Sequence, residues 1–420
     1  MDGHPQTGLE SFERWESEVR GYVRTYPTVF KSASNARQVD ENGRSYIDFF
    51  GGAGVLNFGH NNPKMKAALI EFIESDGIPH SLDTATTAKR DFLEAFAEII
   101  LKPRGMDYRM QFTGPTGTNA VEASLKLARR VTGRTEIMAF THGFHGMTLG
   151  SLAMTANSYF RKAGGVPLNH VTRMSLEHPL ESLRAMYADA SSGLEPPAAI
   201  LIEAVQCEGG VWVASAEWLK ELREFAREIG ALFILDDIQA GCGRTGSYFS
   251  FDGMDLDPDI INLAKGIGGF GTPLAMNLNK PEYDRHWAPG EHTGTFRGQG
   301  FSFVAGRVAL EEYFRDDTLM DEVRRKGAIM AERLEAAAKK VPGSRAEVRG
   351  RGMIYGLDTH GGDFTKGVIA GCFERGLLMG GCGPSGRVLK CIPPLTIPDE
   401  DLNEAFDILD AAIETQAGLV

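Results

Sequence analysis

The chain has 420 residues, 42% hydrophobic and 24% charged, enough apolar material for one large core or two joined ones, with no compositional cause to stay unfolded. Lys and Arg number 44 against 56 Asp and Glu, a net charge of -12 with the cations scattered, which argues against a nucleic-acid backbone as partner. No apolar run approaches the ~20 residues of a membrane helix and the N-terminus lacks a signal-peptide layout; the five cysteines (Cys207, Cys242, Cys372, Cys382, Cys391) form no C-x-x-C pair, so a cytoplasmic protein with reduced thiols and no metal is expected.

In chain order, the first clear element is an amphipathic helix over 63–75, opened by Pro63 and turning Met65, Leu69, Phe72 and Ile73 inward. FTGPTGTNAVEASLKLARR reads as a turn running into a helix with Val121, Leu125 and Ala128 on its inner face. Five nearly continuous apolar runs follow as strands: 136–140, 198–204, 231–236, 259–264 and 273–278. Between them, Trp218, Leu219, Leu222, Phe225, Ala226 and Ile229 share one face of a helix over 216–229. This alternation predicts an α/β fold with a large, mostly parallel sheet. From about 320 the pattern changes to a helix over 326–341, strand-like EVRGRGMIYGLD and GRVLKCIPPL, and a helix carrying Leu402, Phe406, Leu409 and Ile413, which reads as a smaller α+β lobe. The expected division is an N-terminal segment (1–60) packed with the small lobe, a large lobe (61–318) and a C-terminal small lobe (319–420).

Two G-x-G-x-x-G matches, Gly241–Gly246 and Gly266–Gly271, lack the strand immediately before and the helix immediately after that a dinucleotide site needs. His142 and His145 have no third ligand at useful spacing and read as loop histidines.

Two strand ends carry more. One run ends by delivering Asp236, Asp237 and Gln239 to the carboxyl edge of the sheet, and another delivers Lys265 to the same edge. Each alone reads as a solvated charge. Together, a desolvated lysine able to form a Schiff base and a carboxylate able to keep a heteroaromatic nitrogen protonated are what pyridoxal phosphate requires. The helix start at Gly117 and Thr118 offers backbone N–H groups for a phosphate. Phe144, in the loop THGFHG, is either a platform for a flat ring or ordinary core filling.

TGPTGTNAVEASLKLAR, FHGMTLG, ILDDIQAGCGRTG, PDIINLAKGIGG, GTFRG and VRGRGMIYGLD, in this order, resemble the class III aminotransferases over nearly the whole chain. SEVRGYVRTYPTVF, YIDFFGGAGVLNFGHNNPKMKAAL and DGIPHSLDTATTAKRDFLEAF are similar to the branch that forms L-2,4-diaminobutyrate from glutamate and L-aspartate 4-semialdehyde at the head of ectoine synthesis. The resemblance implies the fold-type I architecture of pyridoxal 5'-phosphate enzymes and a homodimer or larger homo-oligomer with shared active sites. It implies that Lys265 is the Schiff-base lysine and proton shuttle, Asp236 the acid at the ring nitrogen, Gln239 the side chain beside the ring hydroxyl and Phe144 the stacking aromatic. Gly117 and Thr118 would form the phosphate cup, with Thr295 lent to the phosphate of the neighbouring subunit. Glu208 would gate the substrate by pairing with a C-terminal cation, here Lys390 in place of an arginine. Met147 stands where several relatives have an arginine for a dicarboxylate, so Arg161 or Lys162 is the substitute candidate for substrate binding, and Asp237 replaces a commoner glutamate as a structural change. Other acceptors of the ornithine, acetylornithine or 4-aminobutyrate type, or an aminomutase of the glutamate 1-semialdehyde type, remain open readings.

Overall fold

The computed structural model describes residues 8–343 and 345–419. Its centre is a seven-stranded sheet in the order Arg109–Phe112, Met276–Asn279, Ile260–Leu263, Leu232–Asp236, Ala199–Ile202, Ile137–Phe140 and Val171–Met174. Six of the seven run in one direction, five of them adjacent from Ile260–Leu263 outward through Val171–Met174, while Met276–Asn279 is antiparallel to both its neighbours. The four central apolar runs are buried at every residue, as strands covered on both faces must be.

The helices that cover the sheet follow from their caps and faces. Asn62 accepts hydrogen bonds from the Lys64 and Met65 N–H groups and Pro63 takes the first position, which starts the helix Pro63–Glu74. Its burial is narrower than the spacing predicts: Met65 is buried, Leu69 and Phe72 pack at the edge of the core, and Ile73 is 60% exposed. Ser215 caps Ala216–Glu228, whose Leu219, Leu222, Phe225 and Ala226 are buried while Trp218 and Ile229 flank them.

Beyond residue 318 a second set of elements forms. The helix expected over 326–341 spans Thr318–Ala338, because its inner face starts earlier, at Leu319, Met320 and Val323. Glu347–Arg351, Ile354–Asp358, Val388–Cys391 and Gly380–Cys382 make an antiparallel sheet, and the helix Asp399–Ala417 buries Leu402, Phe406, Leu409 and Ile413. The N-terminal strands Phe30–Ser34, Arg37–Asp40 and Ser45–Asp48 share a sheet with Leu377–Leu378, so the first and last parts of the chain are hydrogen-bonded together.

The strands Arg109–Phe112 and Val171–Met174 were not expected: they lie at the sheet edges, only partly buried, and lack the apolar continuity of the central ones. All five cysteines are buried and unpaired. Among the described residues no group of His, Cys, Asp and Glu could hold a metal ion, and no helix is long and apolar enough to cross a membrane.

Candidate active site

Adjacent parallel strands bring the two central residues together. Asp236, the last residue of its strand, is in register with Asn262, and Lys265 follows three residues later. Lys265 opens a short 3-10 turn with φ of 54°, the left-handed region that non-glycine residues avoid, and such strain is held only where the surroundings enforce it. Its amine makes no hydrogen bond or ion pair among the described residues. Burial, followed by the neighbouring charge of Lys390, lowers its pKa against the opposing pull of Glu208, Cys207 and Asp236. A lysine readied in this way can act as a nucleophile and a base.

Asp236 is buried, and its Oδ2 is 2.7 Å from Nδ1 of the equally buried His145. Its Oδ1 accepts the Ile238 N–H at 3.2 Å. Asp237 points away: it accepts the Ser250 N–H at 3.0 Å and has its pKa pushed up to about 7, chiefly by burial, in keeping with a structural role.

The helix Gly117–Thr132 begins beside this edge. The Gly117 and Thr118 N–H groups have no partner among the described residues, and a 16-residue helix directs its dipole at them. A Cβ on Gly117 would come within 3.1 Å of two Ile238 carbons, so glycine keeps the approach open. Thr118 Oγ1 lies 2.6 Å from both Thr148 Oγ1 and Ser151 Oγ, and Glu122 accepts from Thr148 Oγ1 and the Ser151 N–H.

Phe144 borders a cavity of about 330 Å³ whose walls include His142, Phe160, Arg173, Glu208 and Ser385. Its ring meets Phe160 edge-on at 5.6 Å, and its backbone N–H donates to Glu203 Oε1 at 2.9 Å. At the same cavity Glu208 Oε1 accepts from Lys390 Nζ and, at 3.0 Å, from Gln239 Nε2, which also donates to the Ala53 carbonyl at 2.6 Å. Burial alone would raise the Glu208 pKa, but Lys390 and Lys265 and the two hydrogen bonds bring it down to about 2. Lys390 is opposed by burial and raised by Glu208.

Two expectations are corrected or redirected. Arg161 does not line the cavity: its Nη1 donates to the Leu152, Ala153 and Thr155 carbonyls, serving the end of the helix Leu149–Met154. Gln239 donates to Glu208 and Ala53, an engagement that links the strand end to the Glu208–Lys390 pair. Thr295 lies exposed in the 293–298 loop, its carbonyl accepting from His80 Nε2 at 2.7 Å. Sequence reasoning missed His145 as the partner of Asp236 and Ile238 beside the helix start at Gly117. Ile238 was signalled by its place between Asp236 and Gln239, but nothing local signals a contact 91 residues away.

The residues present suit pyridoxal phosphate: an unpartnered lysine amine, a buried carboxylate at the neighbouring strand end, and free N–H groups at a helix start with space kept by a glycine.

Comparison with known proteins agrees. The model of the aminotransferase class-III family matches residues 20–413. Diaminobutyrate–2-oxoglutarate transaminase of Halalkalibacterium halodurans is 48% identical over 416 residues, 97% of each chain. The enzyme of the same name from Halomonas elongata is 49% identical, covering 95% of this chain and 97% of its own. Among solved structures, ornithine aminotransferase of Toxoplasma gondii superposes with a TM-score of 0.85 at 25% identity, over 97% of this chain and 94% of that one. With fold, site and full-length similarity in agreement, the chain belongs to the class III aminotransferases, which depend on pyridoxal phosphate.

Proposed function

We propose that the protein transfers the amino group of L-glutamate to L-aspartate 4-semialdehyde, giving L-2,4-diaminobutyrate and 2-oxoglutarate. The observation that carries this reading is 48% and 49% identity, over nearly the whole length, to two enzymes named for that reaction. Its place is the first step of ectoine synthesis, in a cytoplasmic homodimer or larger assembly in which Thr295 reaches the phosphate site of the partner subunit.

When bound, pyridoxal phosphate supplies an aldehyde for amine exchange and an electron sink for the bonds at the substrate Cα. Lys265 Nζ serves as its attachment point and then takes the proton from the substrate Cα, a task suited to an amine whose pKa burial has lowered. Asp236 would keep the ring nitrogen protonated, and Phe144 would cover the ring face. Gly117 and Thr118 would hold the phosphate with backbone N–H groups, and Gln239, its Nε2 held by Glu208 and Ala53, would be the side chain beside the ring hydroxyl. Glu208 and Lys390 form the gate: paired, they present a neutral wall to the semialdehyde, and parted, they leave Lys390 free to hold a carboxylate of glutamate.

The test is a product assay with glutamate and aspartate semialdehyde. Diaminobutyrate and 2-oxoglutarate in equal amounts support the reading. Consumption of the semialdehyde without an amino donor means an aminomutase, and a preference for ornithine, acetylornithine or 4-aminobutyrate means a different acceptor.

A further inference from the structure

Glu203 lies just past the end of the strand Ala199–Ile202, next to the strand that carries Asp236, and has no part in the reaction described above. It is 6% exposed and makes no ion pair among the described residues. Its one hydrogen bond is the N–H of Phe144, accepted by Oε1 at 2.9 Å, and its other oxygen has no partner among the described residues. A largely buried carboxylate is best compensated by a counterion or several donors, and among the described residues Glu203 has one donor and no counterion.

The charged and titratable groups around it reinforce the point. Asp236, bonded to His145, approaches from the adjacent strand, Glu208 and Cys207 lie further along its own segment, and Lys265 comes from the turn after Ile260–Leu263. Burial first, and then the Asp236 charge, push the Glu203 carboxyl well above the usual range, and the Phe144 N–H and Lys265 only partly oppose them.

From this contact we infer that Glu203 is a positioning residue, an un-ionised carboxylic acid that anchors the Phe144 backbone over the ring site while leaving Asp236 as the carboxylate that serves the ring. A loop has to be tied down if its aromatic side chain is to stack on a cofactor, and the acceptor must come from beneath it. A second anion near Asp236 would compete for the same proton, as carboxylates sharing one site do. A neutral acid provides the acceptor without that competition.

This inference rests on the cofactor site described above, and its test separates the two. The first readout needs no cofactor. The infrared spectrum of the cofactor-free protein near pH 7.5 is expected to contain a protonated carboxylic-acid carbonyl band that is absent from Glu203→Gln. An unchanged band pattern would overturn the inference, whatever the protein binds. In the second, Glu203→Gln keeps a neutral acceptor for the Phe144 N–H and should release pyridoxal phosphate within about threefold of the wild-type rate, whereas Glu203→Ala loses a buried partner and should release it about tenfold faster. Release from Glu203→Ala at the wild-type rate, or release from Glu203→Gln as fast as from Glu203→Ala, would refute the anchoring role. Failure of the wild-type protein to bind the cofactor would instead overturn the site assignment.

Discussion

His145 Nδ1 and Asp236 Oδ2 lie 2.7 Å apart, both side chains buried, which ties the loop after Ile137–Phe140 to the acid at the end of Leu232–Asp236. The imidazole fixes the direction in which the carboxylate points, as an outer partner does for a ligand it orients. His145→Ala is expected to lower kcat about tenfold and weaken cofactor retention while leaving secondary structure intact. Steady-state kinetics with a cofactor-release assay check this, and wild-type values in both would mean that Asp236 needs no orienting partner.

Lys265 is the residue whose loss has the largest expected effect. Lys265→Ala removes the amine that burial has readied, so turnover should fall by at least about a thousandfold and the absorbance that accompanies attachment of pyridoxal phosphate to the protein should disappear. Absorbance titration and single-turnover kinetics measure both.

Between Glu208 and Lys390 the expected signature is in pH. The folded pKa of Glu208, about 2, is depressed below its ordinary value of 4.5, so its stabilising contribution is present above about pH 4.5 and is lost as pH falls towards 2. Lys390→Met removes the cation and leaves the carboxylate without its main partner. A deficit of about 2 kcal/mol at neutral pH, narrowing on acidification, is expected from thermal melts at pH 7 and pH 4. Lys390→Arg should restore most of the neutral-pH stability but alter the KM for glutamate, because a planar fork replaces a point charge.

Asp237 behaves in the opposite sense. Its pKa is raised from 3.8 to about 7, so its contribution to stability is full below about pH 4 and is lost as pH rises through 7. Asp237→Asn keeps an oxygen acceptor for the Ser250 N–H and cannot ionise. Melting curves should show the variant gaining on the wild type between pH 5 and pH 8.5, by about 1–2 kcal/mol at the alkaline end. A constant difference across that range would assign the pH dependence to another group.

The legible features were local ones. Strand ends that break an apolar run with Asp236 or Lys265 are visible because a buried strand tolerates no charge until it emerges at the edge of the sheet. The Glu208–Lys390 pair was accessible only through family likeness, since Glu208 lies in the turn after Val205–Gln206 and Lys390 in the strand Val388–Cys391, 182 residues apart. Arg161 turns back on the end of the preceding helix, as a long flexible side chain can, and nothing in the spacing says whether it faces a ligand or a row of carbonyls. Ile73 has the right periodicity for burial but faces outward, because periodicity defines a stripe and only packing sets its width.

Periodicity and strand-end chemistry in the 420 residues were sufficient to specify an α/β chain with a lysine and an aspartate at one sheet edge, because alternation of buried strands and amphipathic helices is written in short windows. Which groups oppose one another across that edge was settled by long-range packing: His145 against Asp236, Glu203 beneath Phe144, Gln239 against Glu208, and the N-terminal strands against Leu377–Leu378. Contacts between distant parts of a chain depend on where whole elements dock, and docking is governed by the shape and burial of surfaces that no short window contains.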